Sequence, residues 1–456
     1  MKVALVFPRT RYPSGDPPLG VAYLAAAIRE KTGRAPAIID TTFSKDPMTH
    51  LRQELRKENY DLVAISAMVT MAREALVAAR LAKTITPHCI VLVGGPHPTT
   101  LPEEVMVEPA VDAVCIGEGE MSLAQVVETG SLEEVPGIYR RGSGEGLEGR
   151  PATPVPDLDS LPFPALELLD MELYLRHWFQ LDAVAPGLKG VPIMATRGCP
   201  FKCSYCQPTL DYLFGKGVRK RSPRNVADEL ALRVEQFGIN AYIFADDTFI
   251  ADRKWVLAFC EELESRGLGL TWGCNVRVDL VDKELLAVMR RAGLAKIYMG
   301  VEVYDDELRS KVFNKRLTRS HVESALQAAR GLDIRTQGYF MLGAPGETRK
   351  DVWDTVSYAW RLDLDDATFN ITTPLPGTLL YDNHRDRIVC RSEDMDYYKR
   401  YAFSEESGIT QSFLSRMQVI AYSGFYARPR RLVKQARALA SLSEARRFWS
   451  KVRRVF

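Results

Sequence analysis

Two long stretches of the sequence alternate between short apolar runs typical of strands and longer runs typical of helices, and this alternation limits the fold more than any other feature. In the first stretch, an apolar run at residues 2–7 is followed by an Ala-rich run at 19–29, and runs at 61–67 and 72–84 repeat the pattern. Strands that alternate with helices form parallel sheets covered on both faces. The first stretch therefore predicts an α/β domain with a doubly wound, Rossmann-like parallel sheet.

Glycine-rich turns follow the later strand-like runs of this first stretch. A Gly-Gly-Pro turn follows the run at 89–93, and residues 117–120 (GEGE) follow the run at 113–116. Turns at the carboxyl ends of parallel strands are where such sheets bind ligands. The G-x-G-x-x-G pattern of a dinucleotide site does not follow the first run, which disfavours a plain dinucleotide domain. The stretch predicts a domain for some other ligand of nucleotide size.

The second stretch begins near Val191 and contains six further strand-like runs. Each run ends in glycine or polar residues, and helix-like runs such as 282–292 and 319–331 separate them. This pattern predicts a partial (β/α)6 TIM-like barrel, whose active site lies at the carboxyl edge of the strands. The six runs are 192–196, 241–244, 270–272, 297–299, 336–342 and 369–372.

Changes of composition along the chain suggest four segments. Residues 151–164 are rich in proline and indicate an extended linker. Residues 427–456 contain ten Lys or Arg and one acidic residue, a local charge of +9. Apolar residues are interspersed among those charges, which predicts a basic amphipathic helix. We therefore predict a Rossmann-like domain at 1–135, a linker at 136–185, a partial barrel at 186–395 and a helical, basic C-terminal region at 396–456.

The overall composition excludes several protein classes. Hydrophobic residues make up 46% and charged residues 26% of the 456 residues, which is ordinary for a globular protein and unlike collagen or a disordered chain. The formal net charge is only +2, so we expect no nucleic-acid partner. No apolar run reaches the ~18–20 residues that span a bilayer. The N-terminus resembles a first strand rather than a signal peptide, and we expect a cytoplasmic protein.

Three of the eight cysteines cluster directly after the first strand-like run of the second stretch. Cys199, Cys203 and Cys206 have C-x3-C-x2-C spacing, and the other five are scattered. Three thiolates can bind three irons of a [4Fe–4S] cluster and leave the fourth iron open to a small molecule. The alternative is a zinc site, but zinc prefers four tetrahedral ligands, and neither a fourth cysteine nor a histidine lies nearby in the sequence. The spacing favours the cluster.

With this motif and the strand ends that follow it, residues 191–383 resemble the radical S-adenosylmethionine (SAM) superfamily. The resemblance implies that the open iron binds the amino and carboxylate groups of SAM, and that an external electron donor drives cleavage of the sulfonium to a 5′-deoxyadenosyl radical. A buried Asp or Arg at a barrel rim can instead cap a helix or form an ion pair, and that alternative stays open. By resemblance, the SAM-binding positions are Tyr205, Asp246, Asp247, Arg277, Glu302, Gly343 and Pro345.

The first stretch, together with LDSLPFP at 158–164 and PLPGT at 374–378, resembles the branch of this superfamily that has an N-terminal cobalamin (B12)-binding domain. Mutase-type cobalamin domains carry D-x-H-x-x-G after the first strand, whereas the loop at 8–20 contains no histidine. The resemblance therefore implies cobalamin without a histidine lower ligand. Some members of the branch keep the fold without binding cobalamin. By resemblance, the cobalamin positions are Leu19, Gly20, Ser66, Gly94, Gly95, His97, Glu118, Gly119 and Glu120.

The resemblance implies an enzyme that methylates an unactivated carbon of a small molecule through the 5′-deoxyadenosyl radical and methylcobalamin. Two alternatives stay open. The first is a radical SAM cyclase or oxidoreductase of the same branch that transfers no methyl group, and the second is a non-catalytic metal-binding protein. The sequence assigns no catalytic residue beyond the cofactor positions.

The basic C-terminal region gives the one indication of a substrate class. A cationic helix dotted with aromatic residues suits docking on the anionic inner face of a membrane. Relatives in the resembled branch that modify lipids and pigments have similar tails, so the resemblance implies a lipid, isoprenoid or tetrapyrrole substrate as one expectation. The alternative is a helix that packs across the barrel with a solvated basic face, and nucleic-acid binding ranks below both.

Overall fold

The structure is a computed structural model, and it describes residues 1–144, 146–181, 184–428 and 431. The chain divides into two compact units. The first comprises Met1–Arg176, Gln207–Lys220 and Arg391–Asp394, and the second comprises His177–Cys206, Arg221–Cys390 and Met395–Phe456.

The described residues form fifteen strands. They are β1 (Val3–Phe7), β2 (Ala37–Asp40), β3 (Leu62–Ser66), β4 (Ile90–Gly94), β5 (Ala113–Cys115), β6 (Ile138–Arg141), β7 (Leu147–Gly149), β8 (Gly190–Ile193), β9 (Thr196–Arg197), β10 (Arg219–Lys220), β11 (Ala241–Phe244), β12 (Thr271–Val276), β13 (Leu294–Glu302), β14 (Arg335–Leu342) and β15 (Asp366–Ile371).

Sixteen α-helices accompany them in the described part of the chain. They are α1 (Leu19–Thr32), α2 (Pro47–Leu55), α3 (Ala72–Ile85), α4 (Pro96–Thr100), α5 (Pro102–Met106), α6 (Glu120–Thr129), α7 (Met171–His177), α8 (Thr209–Phe214), α9 (Pro223–Phe237), α10 (Arg253–Arg266), α11 (Lys283–Arg291), α12 (Asp306–Phe313), α13 (Arg319–Arg330), α14 (Arg349–Arg361), α15 (Leu379–Asn383) and α16 (Gln411–Tyr426).

The first unit contains a seven-stranded sheet in the order β2-β1-β3-β4-β5-β6-β7. The pairs among β1 to β5 are parallel, and β6 and β7 add antiparallel strands at one edge. Val3 and Leu5 pack in one apolar core while Ala4 and Val6 pack in another. Because successive side chains point to opposite faces, the sheet is buried on both faces, as predicted. Strand order reverses between β1 and β3, where doubly wound sheets bind ligands.

The second unit contains six parallel strands in the order β15-β14-β13-β12-β11-β8. Its outer face is apolar and aromatic, with Phe244, Phe259 and Trp272 fully or almost fully buried between the sheet and α10. Several helices of this unit begin after a residue whose side-chain oxygen accepts a hydrogen bond from a free backbone N–H of the first turn. Such N-caps are Ser222, Asp252, Asp282, Asp305, Thr348, Thr378 and Thr410.

Helix α16 packs on the last strand of this sheet. Phe369 of β15 contacts Tyr422 edge to face at 5.2 Å, and the Trp360 indole donates to the carbonyl of Ala421 at 3.0 Å. A Cβ on Gly424 would lie 2.2 Å from the Trp360 ring, so glycine is needed for that contact. Helix α16 is thus packed on β15 and ends at Tyr426. Nearly all of the predicted basic amphipathic helix at 427–456 lies outside the described residues.

The predicted fold class is confirmed: a Rossmann-like parallel sheet, a six-stranded partial barrel and a helical C-terminal element. Strands β6 and β7 lie where the sequence suggested only a linker. The four domain boundaries stay a prediction. Among the described residues, no helix is both long enough and apolar enough to cross a membrane.

Candidate active site

Three cysteines lie on the loop that follows β9 in the second unit. Gly198 begins this loop with φ of 89°, a conformation that a side chain disfavours. Cys203 is buried, and Cys199 and Cys206 are partly buried. The Cys199 Sγ lies 3.5 Å from the Thr248 Oγ1. Burial raises the pKa of the Cys203 thiol and of the Cys206 thiol, so both need nearby positive charge or a metal to become thiolates.

Residues 312–315, at the end of α12, form hydrogen bonds with the cysteine loop. The Ser204 amide donates to the carbonyl of Phe313 at 3.0 Å, and its hydroxyl donates to the carbonyl of Val312. The Asn314 side-chain amide donates to the carbonyl of Lys202 at 2.7 Å. Backbone groups on both sides of Cys203 are thus fixed by one short segment.

Tyr205, Glu302 and Lys315 form one buried polar cluster beside that loop. The Tyr205 hydroxyl donates to Glu302 Oε1 at 2.8 Å, and the Lys315 ammonium donates to the same oxygen at 2.7 Å. Lys315 also donates to the carbonyl of Gly300 at 2.9 Å. Glu302 ends β13 with φ of 64°, a left-handed conformation. The predicted SAM residues Tyr205 and Glu302 are therefore brought together.

Arg277, which follows β12, reaches the cysteine loop. Its Nη1 lies 3.7 Å from the Cys203 Sγ, and its guanidinium stacks 3.9 Å from the Phe201 ring centroid. Asp279 pairs with the other side of the same guanidinium at 2.9 Å. Arg277 is thus held in place beside a sulfur atom of the cysteine loop, and its role in SAM binding stays a prediction.

Asp246 and Asp247 differ in solvent exposure, although partial burial of its carboxyl group also raises the pKa of Asp247, to about 6. Asp246 is buried, and its carboxylate accepts from the Thr196 hydroxyl at 2.5 Å and the Ala195 amide at 3.1 Å. Burial raises its pKa to about 7, against the opposing effect of those hydrogen bonds. Asp247 is exposed. Asp246 therefore links the end of β11 to Ala195 and Thr196, which precede the cysteine loop. Of the two carboxylates, that of Asp247 is the one accessible to a ligand.

The Gly-Ala-Pro-Gly-Glu turn after β14 is built around a buried carboxyl group. Glu347 Oε2 accepts from the amides of Gly343 at 2.7 Å and Ala344 at 2.8 Å. Its Oε1 is buried and has no hydrogen-bond partner within the described part of the chain. Gly343 has φ of 81°, and a Cβ there would lie 2.6 Å from Leu414. Pro345 is buried in the same turn.

We expect Glu347→Gln to change how stability depends on pH. Burial raises the pKa of Glu347 from 4.5 to about 8, so between these values the folded state holds a proton that the unfolded state has lost. The wild-type chain should therefore lose up to about 1.4 kcal/mol per pH unit, relative to the variant, as pH rises through this window. All six tryptophans follow His177 in the second unit, so denaturant unfolding followed by tryptophan fluorescence at pH 5, 7 and 9 measures it.

The matched control is Glu323→Gln, which neutralises an exposed glutamate on α13. Its stability difference from wild type should not vary between the same pH values. An equal pH dependence in both variants would contradict the assignment to Glu347.

The donor set of the loop suits an iron–sulfur cluster better than a single ion. Among the described residues, no three Cys, His, Asp or Glu side chains are grouped closely enough to hold one metal ion. A [4Fe–4S] cluster binds each cysteine through a different iron, so its ligands need not converge on a single point. Three thiols on one anchored loop, with Arg277 beside Cys203, fit that group.

In the first unit, the structure places several predicted cobalamin positions at the same sheet edge. Ser66 and Gly94 are cross-strand partners at the carboxyl ends of β3 and β4, and Gly94 is paired in turn with Cys115 of β5. Leu19 and Gly20 begin α1, in the connection after β1. These positions therefore surround the point where strand order reverses.

The turn after β4 has the features of a ligand loop. Gly95 has φ of 104°, and a Cβ there would lie 2.9 Å from the carbonyl oxygen of Ala67. His97 is only 3% exposed, its Nδ1 has no partner in the described part of the chain, and burial lowers its pKa. The Thr209 hydroxyl of α8, which packs against α4, is also buried without a partner there. Two orphaned polar groups beside a glycine turn fit a ligand rich in amide groups, such as cobalamin.

The Gly-Glu-Gly-Glu turn after β5 is occupied largely by the protein itself. Both Glu118 carboxylate oxygens accept from the Arg219 guanidinium, at 2.8 and 3.0 Å. The Val155 amide donates to the same carboxylate at 2.9 Å. Gly119 caps α6, and Glu120 is buried in its first turn. Glu118 thus clamps three parts of the first unit together, and its predicted contact with cobalamin gains no support from this geometry.

The sequence patterns gave no indication of several residues at the cysteine loop and at the predicted cobalamin positions. Lys315 and Asn314 lie in a loop without a recognisable motif, and Arg219 and Thr209 follow the cysteines. Thr248 alone had a usable signal, since it comes directly after the Asp-Asp pair at a strand end.

Two family models match the chain. The model described as the B12 binding domain matches residues 12–127. The model described as the radical SAM superfamily matches residues 193–359.

Individual proteins are similar over most of the chain. An uncharacterized methyltransferase of Pyrococcus horikoshii is 30% identical over 95% of this chain and 94% of its own length. The anaerobic magnesium-protoporphyrin IX monomethyl ester cyclase of Cereibacter sphaeroides is 30% identical over 87% of this chain and 65% of its own length. The methyltransferase TsrM of Kitasatospora setae, solved with cobalamin and a [4Fe–4S] cluster, has a TM-score of 0.69 at 20% identity and covers 85% of this chain and 75% of its own.

The matched residues place the B12-binding model on the first sheet and the radical SAM model on the partial barrel that carries the three-cysteine loop. The chain belongs to the radical SAM superfamily, in the branch that carries an N-terminal B12-binding domain. It is an enzyme, and its cofactors are a [4Fe–4S] cluster, SAM and cobalamin. The predicted family, enzyme class and cofactors are confirmed, and the roles of individual site residues stay predictions.

Proposed function

We propose that this enzyme transfers a methyl group from SAM, by way of cobalamin, to an unactivated carbon of a small molecule. The observation that carries the proposal is that one chain combines both cofactor domains and matches a described methyltransferase over 94% of that protein's length. When bound, the reduced cluster supplies the electron that cleaves SAM to the radical, and cobalamin carries the methyl group.

We assign the cluster to Cys199, Cys203 and Cys206. The support is their position on one loop that is anchored on both sides of Cys203 by the carbonyls of Phe313 and Val312 and by the Asn314 amide. These hydrogen bonds fix the chain on both sides of Cys203. Pre-organised ligands reduce the ordering required on binding.

We assign SAM to the residues that converge on the same loop. Arg277 presents a guanidinium beside Cys203, and Glu302 presents a buried carboxylate held by Tyr205 and Lys315. An amino acid moiety carries one positive and one negative group, and these side chains offer one partner of each sign. Asp247 and the turn of Gly343 and Pro345 complete the proposed SAM site.

We assign cobalamin to the sheet edge formed by Ser66, Gly94 and Gly95, with His97 and Thr209 as hydrogen-bonding groups. Met68 and Tyr212 are large apolar residues exposed near these loops, at 39% and 54%. No histidine occurs in the loop after β1, which supports cobalamin bound without a histidine lower ligand.

The competing function is a radical cyclase or oxidoreductase that uses the same cofactors without net methyl transfer. Its support is the 30% identity to a protein described as a cyclase, although the chain spans only 65% of that protein. The two functions differ in their products. Methyl transfer consumes a second SAM and yields S-adenosylhomocysteine, and cyclisation yields 5′-deoxyadenosine alone.

The test uses the full chain, reconstituted without oxygen with iron, sulfide and hydroxocobalamin. It is given a low-potential reductant such as dithionite, SAM with a deuterated methyl group, and an organic extract of cells that lack the gene. Methyl transfer predicts a deuterated product with 5′-deoxyadenosine and S-adenosylhomocysteine formed in about equal amounts. Extract-dependent 5′-deoxyadenosine without matching S-adenosylhomocysteine supports the cyclase. Absence of both products under these conditions contradicts either enzyme function.

We also propose that the substrate is hydrophobic and that residues 427–456 bring the protein to an anionic membrane surface. The support is the local charge of +9 and the apolar residues among those charges. Co-sedimentation of the full chain with phosphatidylglycerol vesicles but not phosphatidylcholine vesicles, lost at high salt, is the expected result. Equal behaviour with both lipids contradicts it.

A further inference from the structure

Lys315 is a buried cation for which the proposed chemistry has no direct use. It lies in the loop between α12 and α13, and its side chain is 6% exposed. Its ammonium makes three hydrogen bonds, to Glu302 Oε1, to the carbonyl of Gly300 and, at 3.2 Å, to the hydroxyl of Tyr205. All three donors of the ammonium are thereby used, so its position is fully determined.

The loop that carries Lys315 is the same segment that holds the cysteines. Its neighbours Phe313 and Asn314 bind the backbone of residues 202–204, and Lys315 binds the side chain of Tyr205. The Tyr205 ring also packs edge to face on Phe313 at 5.6 Å. The stretch between the second and third cysteines is therefore fixed at its backbone and at its one large side chain.

A buried ion pair is a weak source of stability, because desolvation of both charges offsets their attraction. Lys315 and Glu302 are 6% and 5% exposed and 2.7 Å apart. The Lys315 ammonium bonds the hydroxyl of Tyr205, the residue directly before Cys206, and lies 5.9 Å from the centroid of the Tyr205 ring. A fixed, buried positive charge beside the cysteine loop stabilises added negative charge on a group that the loop holds.

We propose that Lys315 is a positioning residue for the iron–sulfur cluster, which fixes the loop through Tyr205 and raises the reduction potential of the cluster by its buried charge. The proposal rests on the assignment of the cluster to the three cysteines. Cluster potentials respond to nearby charge, hydrogen bonding and solvent exposure. Loss of the ammonium leaves the Glu302 carboxylate uncompensated, which lowers the potential further.

The same barrel contains a matched control. Lys296 lies on β13, its side chain is 4% exposed, and it pairs with Asp366 at 2.9 Å. The Lys296 ammonium is as buried as that of Lys315, its partner Asp366 is 22% exposed, and the pair involves none of the cysteine-loop residues. Lys296→Met therefore removes a comparable ion pair without touching the cysteine loop.

The experiment compares wild type, Lys315→Met, Lys315→Arg and Lys296→Met as full chains reconstituted with iron and sulfide, without SAM, cobalamin or substrate. Iron and sulfide content are measured first, and the midpoint potential is then found by a mediated titration followed by electron paramagnetic resonance. For Lys315→Met we expect the reduction equilibrium to fall at least about tenfold, which is about 59 mV for one electron. Lys315→Arg and Lys296→Met should keep the wild-type potential.

If Lys315→Met fails to retain iron while Lys315→Arg and Lys296→Met retain it, the positioning role is supported. Wild-type iron content and potential in Lys315→Met overturn the proposal. It is also overturned if Lys315→Arg shifts as far as Lys315→Met, or if Lys296→Met reproduces the effect. Because no substrate is present, failure of the proposed methyl transfer leaves these results unaffected.

Discussion

A Cys203→Ala chain is expected to form no 5′-deoxyadenosine above background. Cys203 is the buried member of the three, lies beside the Arg277 guanidinium, and sits between the anchored residues Lys202 and Ser204. Loss of a mere supporting partner of a metal ligand reduces metal affinity or activity about 10- to 100-fold, so loss of the ligand itself should exceed about 100-fold. Iron content, the visible absorbance of the cluster and 5′-deoxyadenosine are measured on protein reconstituted without oxygen.

Cys274→Ala is the matched control for this prediction. Cys274 lies on β12 of the same unit and is completely buried, so the substitution removes the same atom from a comparable environment. It should leave iron content and 5′-deoxyadenosine near wild-type values. If Cys203→Ala keeps its cluster and its product, the three-cysteine assignment is wrong.

The cysteine loop shows why part of the site could be predicted from the sequence. Parallel strands bring their carboxyl ends to one edge, so polar residues after the strands of the second unit had to lie near one another. Arg277 lies beside the Cys203 sulfur, and Glu302 accepts a hydrogen bond from Tyr205, so both side chains reach the cysteine loop. The apolar runs predicted the strand positions, and the resemblance to the radical SAM superfamily named Arg277 and Glu302 as candidates.

The hydrogen-bond partners of the site could not be predicted in the same way. Glu118 looked like a ligand residue in a glycine-rich turn, but its carboxylate binds Arg219, which is 101 residues away in the sequence. Asp246 likewise binds Thr196, 50 residues away. A pattern of residue types places a carboxylate at a strand end, but only the folded chain shows whether a protein group already occupies it.

Charged residues inside β13 account for the error in its predicted length. The sequence suggested a strand at 297–299, whereas β13 runs from Leu294 to Glu302. Lys296 and Glu302 interrupt the apolar pattern, yet both are buried because Asp366 and Lys315 pair with them. Burial of a charge depends on a partner elsewhere in the chain, which local patterning cannot reveal.

Arg309→Met is expected to be the most destabilising single substitution proposed for the second unit. Arg309 is 0% exposed, and its guanidinium donates to the carbonyls of Val301 at 2.9 Å, Leu317 at 2.7 Å and Val303. Removal of one partner from such a buried network leaves several carbonyls without donors, at a cost of about 3–5 kcal/mol. Denaturant unfolding followed by tryptophan fluorescence, which reports the second unit, measures the loss.

The same substitution should also weaken SAM binding. Arg309 donates to the carbonyls of Val301 and Val303, the residues on either side of Glu302, and the left-handed backbone of Glu302 needs that support. Lys311→Met is the control on the same helix: Lys311 pairs with Glu307 at the surface, and its loss should change neither the unfolding midpoint nor SAM affinity. Equilibrium dialysis with SAM on reconstituted protein, at a temperature where both variants are folded, separates the two effects. Unchanged SAM affinity in a destabilised Arg309→Met chain would mean that Glu302 keeps its orientation without the guanidinium, and that its strained backbone is set by Lys315 and Tyr205 instead.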